Sequence, residues 1–406
     1  MRKVSLAAGA LVAVALPQKR LAAQLAVRGE TVYTMAGAPI TDGVVVIGKD
    51  GHIERVGPAA STTIPAGYKL LRAKVVTPGL IDAHSVVGLA GMLNYAHDQD
   101  ELDTSDPIQP QLRAFDAYNA RERLIEWVRS FGVTTLHTGH GPGALMSGQT
   151  MVVKTRGNDV AEAMVDSVTM VAMTLGSDVS RNFKSPGTKA KEVAMLRAEF
   201  IKAREYRAKL KNAKPEEPPA RDLALEAVVQ VLDRKVPALI TAQSVTEIMD
   251  ALRLQKEFGF RLVLDGAAES YLLIDQIKAA GVPIILHPTM VRLEDETANA
   301  TIETAKLLHA AGIPVALQSG FESYVPKTRV VLFEAAMAAS NGLPKEAALA
   351  TITSDAAKII GQERRIGSLE AGKDGDLALF DGDPFEWTTH VCTVIIEGVV
   401  VSDSCK

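Results

Sequence analysis

The sequence predicts an α/β protein: a (β/α)8 TIM barrel joined to a small β-sandwich built from both chain termini. Three observations carry that prediction. The middle of the chain alternates apolar strand-like runs with amphipathic helical stretches, the two ends share a texture of short strands with Gly and Pro punctuation, and Val76-Thr-Pro-Gly-Leu-Ile-Asp-Ala-His84 reads as a buried strand delivering a histidine to its C-terminal end. At 406 residues the chain exceeds one average domain, and a barrel of about 250 residues plus a smaller module accounts for it.

The elements follow in order. Arg2 and Lys3, the apolar run Val4 to Leu16 and the small residues before Gln24 read as a secretory signal over 1–23, too short to span a bilayer. The expected location is therefore outside the cytoplasm, periplasmic or secreted, with no stable membrane insertion after cleavage. From 24 to 76, Glu30–Tyr33, Gly43–Ile47 and Ile53–Val56 alternate as strands, with a turn at Lys49-Asp-Gly-His52. The pattern returns over 364–406, so the two ends are expected to pair into one β-domain with the barrel, 77–363, inserted between its halves. Barrel strands are expected at Val133–His137, Pro237–Ala242, Arg261–Asp265, Val282–His287 and Ile313–Gln318, with helices over Val245–Phe258 and Glu269–Ala280. Lys189 to Lys214 reads as an exposed charged helix, followed by a linker at Pro215-Glu-Glu-Pro-Pro219. Val330 to Ala339 reads as a helix that buries against a neighbouring helix or against a second subunit, which leaves a homo-oligomer possible.

Composition narrows the function. Hydrophobic residues at 47% and charged residues at 23% are those of a globular chain with a sizeable core, and a net charge of −4 gives no electrostatic footprint for nucleic acid. A small-molecule or peptide-like substrate is the expected partner. Nucleophilic enzymes fit poorly, since no Gly-x-Ser-x-Gly elbow is present. The two cysteines, Cys392 and Cys405, are able to pair in an oxidising compartment.

Titratable residues gather at the ends of the expected strands. His84 ends the first, His137 and His140 flank Thr138-Gly139 after the second, and Asp265 and His287 end later ones. In a barrel the chemistry sits at those ends. Imidazoles and a carboxylate there make either a mononuclear metal site, with His84, His137 and His140 as candidate ligands, or a metal-free acid–base pair of His287 with Asp265 as catalytic residues. Each also has a purely structural reading: His84 as a hydrogen-bonded barrel residue, His137 and His140 as caps in a glycine-rich turn, Asp265 as a turn or helix cap. Lys154, Gln243 and Ser319 are candidates to bind substrate, and Glu322, Lys327 and Arg329 to shape specificity.

Thr77-Pro-Gly-Leu-Ile-Asp-Ala-His84, together with Gly367-Ser-Leu-Glu-Ala-Gly-Lys-Asp-Gly-Asp-Leu-Ala-Leu-Phe-Asp-Gly-Asp-Pro384 and Ile395-Ile-Glu-Gly-Val399, resembles the opening strand and closing β-domain of the amidohydrolase superfamily. With Gly148-Gln-Thr-Met-Val-Val-Lys154 the likeness is nearest to the imidazolonepropionase-related branch, and it covers nearly the whole mature chain. The resemblance implies hydrolysis of a C–N bond in a small amide, cyclic amide or peptide-like compound. It also implies one or two divalent metals, zinc foremost, held by His-x-His on the first strand, histidines on the fifth and sixth, and an Asp after the eighth. This sequence keeps His84 but has Val86, Gln243, Asp265 and Ser319 near the other positions. Val cannot ligate, and Gln and Ser are poor zinc donors. The expectation is therefore an amidohydrolase-like enzyme with an atypical or absent metal centre, the alternative being a non-catalytic small-molecule binder on the same scaffold.

Overall fold

The computed structural model describes residues 24–93, 95–214, 219–287, 293–320 and 330–405. The expected signal over 1–23, the core of the linker at 215–218, and Glu322, Lys327 and Arg329 lie outside the described residues. The N-terminal part forms β1 (Leu25–Val32), β2 (Ile40–Ile47), β3 (Ile53–Pro58) and β4 (Lys69–Pro78). The middle supplies β5 (Leu80–Ser85), β6 (Val133–Thr138), β7 (Gly148–Gln149), β8 (Met151–Lys154), β9 (Met164–Asp166), β10 (Val171–Thr174), β11 (Ala238–Ala242), β12 (Leu262–Gly266), β13 (Ile284–Leu286) and β14 (Val315–Leu317). The C-terminal part adds β15 (Leu377–Phe380), β16 (Val391–Ile396) and β17 (Val399–Asp403).

The two ends of the chain do pair. One seven-stranded sheet runs β17-β16-β15-β4-β1-β2-β3, with β15 antiparallel to β4 through Leu377↔Pro78 and Phe380↔Val75. Alternation drives it: Leu25, Val27, Val45, Ile47, Leu377 and Ile395 pack into one buried cluster, each such side chain worth about 1.5–3 kcal/mol of burial. Cys392 and Cys405 form a disulfide that ties β16 to the residues after β17.

The middle is mixed α/β. β10, β11, β12, β13 and β14 are parallel neighbours, β5 pairs parallel with β6, and an isolated parallel bridge joins Ser85 to Gly320. The residues 148–154 run the other way, antiparallel to β10 through β7 and to β6 through β8. Their direction was not legible in Met-Val-Val-Lys, because an apolar run bounded by turns carries no sign of strand polarity.

Helix Val245–Phe258 has the bounds expected from sequence, fixed by a capping box between Ser244 and Glu247 and a left-handed Gly259 at its C-terminus. The stretch expected as helix over Glu269–Ala280 breaks at Leu273 into a 3-10 turn, Ser270–Leu272, and a helix, Ile274–Ala280. Helix Lys189–Asn212 is less exposed than its charge implies: Leu196, Phe200 and Ala203 are buried, with Phe200 4.9 Å from Phe258 and 5.1 Å from Phe260 between ring centroids. Helix Val331–Ser340 buries Val331, Leu332, Ala335 and Ala338 within the chain itself. No described helix is long and apolar enough to cross a membrane.

Candidate functional site

Period-two alternation builds the site. Leu239, Val263, Ile285 and Ala316, on four neighbouring parallel strands, share one buried cluster with Ile81 and Ala83. Two residues further along each strand, on the same face, stand Thr241, Asp265, His287 and Gln318. An irregular register between Asp82 and Ser85 in β5 turns His84 toward the same group.

Asp265 is fully buried and is the hub. His84 Nδ1–H donates to Asp265 Oδ1 at 3.0 Å, Gln318 Nε2 donates to the same oxygen at 2.7 Å, and Thr241 Oγ1 donates to Oδ2 at 2.7 Å. Burial pushes the Asp265 carboxyl up, but His84 and these hydrogen bonds outweigh it and hold the group below its ordinary value. Asp265 is thus a carboxylate that orients an imidazole. Beside the expected catalytic pair of His287 with Asp265, the structure brings His84 onto the same carboxylate.

His287 directly follows β13, and its backbone N–H donates to Gly266 O at 3.1 Å. Its ring lies against Gly320, where an added Cβ would come within 2.3 Å of Nε2 at a φ of +85°. Gly320 therefore has to be glycine for both space and backbone.

His137, a candidate metal ligand, is hydrogen-bonded to protein through both ring nitrogens. Its Nδ1 lies 2.6 Å from Ala83 O and its Nε2 2.7 Å from Thr150 Oγ1. A carbonyl only accepts, so Nδ1 carries the proton and the Thr150 hydroxyl donates to Nε2. Burial, then His84, pushes this imidazole down to about 3, which keeps it neutral. With both nitrogens committed, neither is left for a metal. His84 and His137 stand 5.5 Å apart between ring centroids. His140 packs elsewhere, its Cδ2 lying 2.3 Å from where a Gly148 Cβ would be, and burial lowers its imidazole despite Asp100 and Asp103.

The three candidate substrate residues are placed as follows. Lys154 closes an antiparallel strand whose partner is Thr135, near the start of β6, so it stands toward the end of the strands opposite His84. There it is buried against Asp374 Oδ2 at 3.0 Å and against Asp376. Gln243 braces the loop after β12, its Oε1 accepting from Ala268 N at 3.2 Å and its side chain lying over Gly266. Ser319 is likewise engaged by protein, its N donating to Asp82 Oδ1 at 3.1 Å and its hydroxyl to Oδ2.

Asp82 was quoted in the motif but given no role in the sequence reading; the signal was an acidic residue inside an otherwise apolar strand. It clasps β5 to the segment that follows β14. Burial pushes its carboxyl up to about 6 against the pull of Ser319. A folded-state value above the ordinary 3.8 means that its favourable contribution is fully present below about pH 4 and is lost as pH rises through about 6. Asp82→Asn is therefore expected to raise stability at pH 8 by on the order of 1–3 kcal/mol, a gain that fades by pH 4. Urea denaturation at the two pH values checks this, and a pH-independent difference would contradict it.

The fold and this site define a class: an α/β protein with an oriented imidazole at the C-terminal ends of parallel strands. The sequence profile of the Amidohydrolase family matches residues 89–402. The chain belongs to the amidohydrolase family. An amidohydrolase from Thermotoga maritima superposes with a TM-score of 0.88 at 29% identity, covering 94% of this chain and 100% of that one. The amidohydrolase tasK of Hapsidospora irregularis is 24% identical over 358 residues, 81% of this chain and 36% of its own length. An imidazolonepropionase of Shouchella clausii is 36% identical over 115 residues, 28% of this chain and 25% of its own length. This chain thus spans only about a third and a quarter of those two curated relatives, and the likeness to the imidazolonepropionase branch holds.

Members of the family generally bind divalent metals, and the donors here were tested against one. Among the described residues no group of three or more His, Cys, Asp or Glu side chains is arranged to hold an ion. Val86 is apolar and buried, Asp265 has both oxygens engaged, and His137 has both nitrogens engaged. The described residues do not fit the group.

Proposed function

We propose that this protein hydrolyses a C–N bond in a small amide, cyclic amide or peptide-like compound, with His84 as the proton-transferring group and Asp265 holding it in place. The observation that carries this reading is the 3.0 Å contact from His84 Nδ1 to a buried carboxylate. Hydrolysis needs a base to take a proton from the attacking water and an acid to return it to the leaving nitrogen. Donation from Nδ1 fixes the ring and makes Nε2 its basic atom. His287 brings a second imidazole to the same face.

The same reading takes the central strands as a closed eight-strand barrel. The bridge from Ser85 to Gly320 and the Asp82–Ser319 clasp support closure between first and last strands. It takes the terminal sheet as the sandwich domain, and the N-terminal segment as an export signal. The Cys392–Cys405 pairing favours an oxidising compartment.

A non-catalytic binder is the second reading, favoured by how fully Asp265 and His137 are occupied by protein partners. Incubating the purified protein with primary amides, lactams and dipeptides separates the two. Release of amine or ring-opened product supports the hydrolase; thermal stabilisation by one of these compounds without turnover supports the binder.

A further inference from the structure

We propose that the acid–base centre works without a metal, and that Thr241 and Gln318 are the positioning residues that make this possible. They hold Asp265, and Asp265 holds His84. The inference rests on the hydrolytic reading of His84 given above.

The argument starts from donor chemistry. In a metal centre a carboxylate gives its oxygens to the ion and an imidazole gives a lone pair. Here the side chains at or just past the C-terminal ends of β5, β11, β12 and β14 are bonded to one another instead. Thr241 Oγ1 reaches Asp265 Oδ2 at 2.7 Å, while Gln318 Nε2 reaches Oδ1 at 2.7 Å and Ile285 O at 3.2 Å. All four of Thr241, Asp265, His84 and Gln318 are buried. An ion on Asp265 would have to displace these donors and strand the buried Thr241 hydroxyl and one N–H of the Gln318 amide, an arrangement native interiors avoid. Zinc prefers nitrogen, thiolate or carboxylate, and neither a threonine hydroxyl nor a glutamine amide replaces those.

The set has its own chemical logic. A buried carboxylate left with one partner would drift toward its neutral form, and neutral Asp265 would stop stabilising an imidazolium on His84. Two further donors keep the charge in place and fix the carboxylate plane. Thr241 and Gln318 therefore act on the reaction only through Asp265.

Two measurements test this. The first is the metal content of protein purified without chelator, with isothermal titration of Zn²⁺ into wild type and His84→Ala. Substoichiometric metal and identical zinc titrations are expected; about one retained equivalent that disappears in His84→Ala would overturn the proposal. The second is the proton NMR signal of His84 Nδ1–H, assigned as the low-field resonance lost in His84→Ala. Thr241→Val is expected to move that signal upfield and Thr241→Ser to restore it. On any amide found to turn over, Thr241→Val should lower kcat about tenfold, the worth of one hydrogen bond to a charged group, with KM unchanged. Indistinguishable Val and Ser variants would sink the positioning role. Because the metal and NMR readouts need no substrate, a chain that turns over nothing defeats the hydrolase reading while these still judge the metal-free network.

Discussion

Replacing Lys154 with Ala should cost the fold about 3–5 kcal/mol, the largest stability effect expected of any single change here. The residue is 1% exposed and its ammonium is the cation between Asp374 and Asp376. Asp374 also pairs with Arg365 Nη2 at 2.9 Å, and Lys154 and Arg365 together outweigh its burial and hold it below its ordinary value. Asp376 is different: burial raises its carboxyl even with Lys154 beside it. Removing the lysine leaves that carboxylate buried with its nearest cation gone. Its folded-state value then rises further, so the loss should be full at pH 8 and shrink as the pH falls and Asp376 protonates. Lys154→Met with Asp376→Asn, which removes charge from both sides, should recover more than half of the loss. Urea unfolding measures each; a cost below about 1 kcal/mol for Lys154→Ala would show that the triad is not holding the two parts of the chain together.

This same lysine shows what the sequence could and could not tell. Of the strands between Val133 and Gln318, β6, β11, β12, β13 and β14 were readable because apolar runs between helical stretches place themselves, while β9 and β10 were not singled out. The Val245–Phe258 helix was readable because Ser244, Glu247 and Gly259 spell out its ends. The direction of 148–154 was not written anywhere in its composition, and with the direction went the end of the strand at which Lys154 stands. The site was half legible. His84 and Asp265 were both singled out, yet their partnership joins residues 181 apart in sequence, and His287 looked equally suited to Asp265 from strand ends alone. Thr241 and Gln318 appeared only as residues within expected strands. Their role as donors became visible once period-two alternation put them on the face of Asp265.

The second large effect concerns activity. On a substrate that the wild type hydrolyses, His84→Ala should lower kcat by about 10²–10⁴, the usual worth of a positioned acid–base group. Asp265→Asn should fall in the same range, because an amide in place of the carboxylate can present a donor to Nδ1 and favour the wrong tautomer. Both variants should bind substrate with little change in KM, since neither group is assigned to ground-state binding. A His84→Ala variant that keeps wild-type kcat would remove His84 from the reaction altogether.

The central claim is that His84 and Asp265 act as one unit, and a double-mutant cycle on kcat/KM measures it most directly. If they are one unit, His84→Ala combined with Asp265→Asn should be no slower than the worse single variant, a coupling equal to the smaller single loss, about 3–5 kcal/mol. Losses that simply add would mean that the two residues work independently and that the 3.0 Å contact between them is only structural.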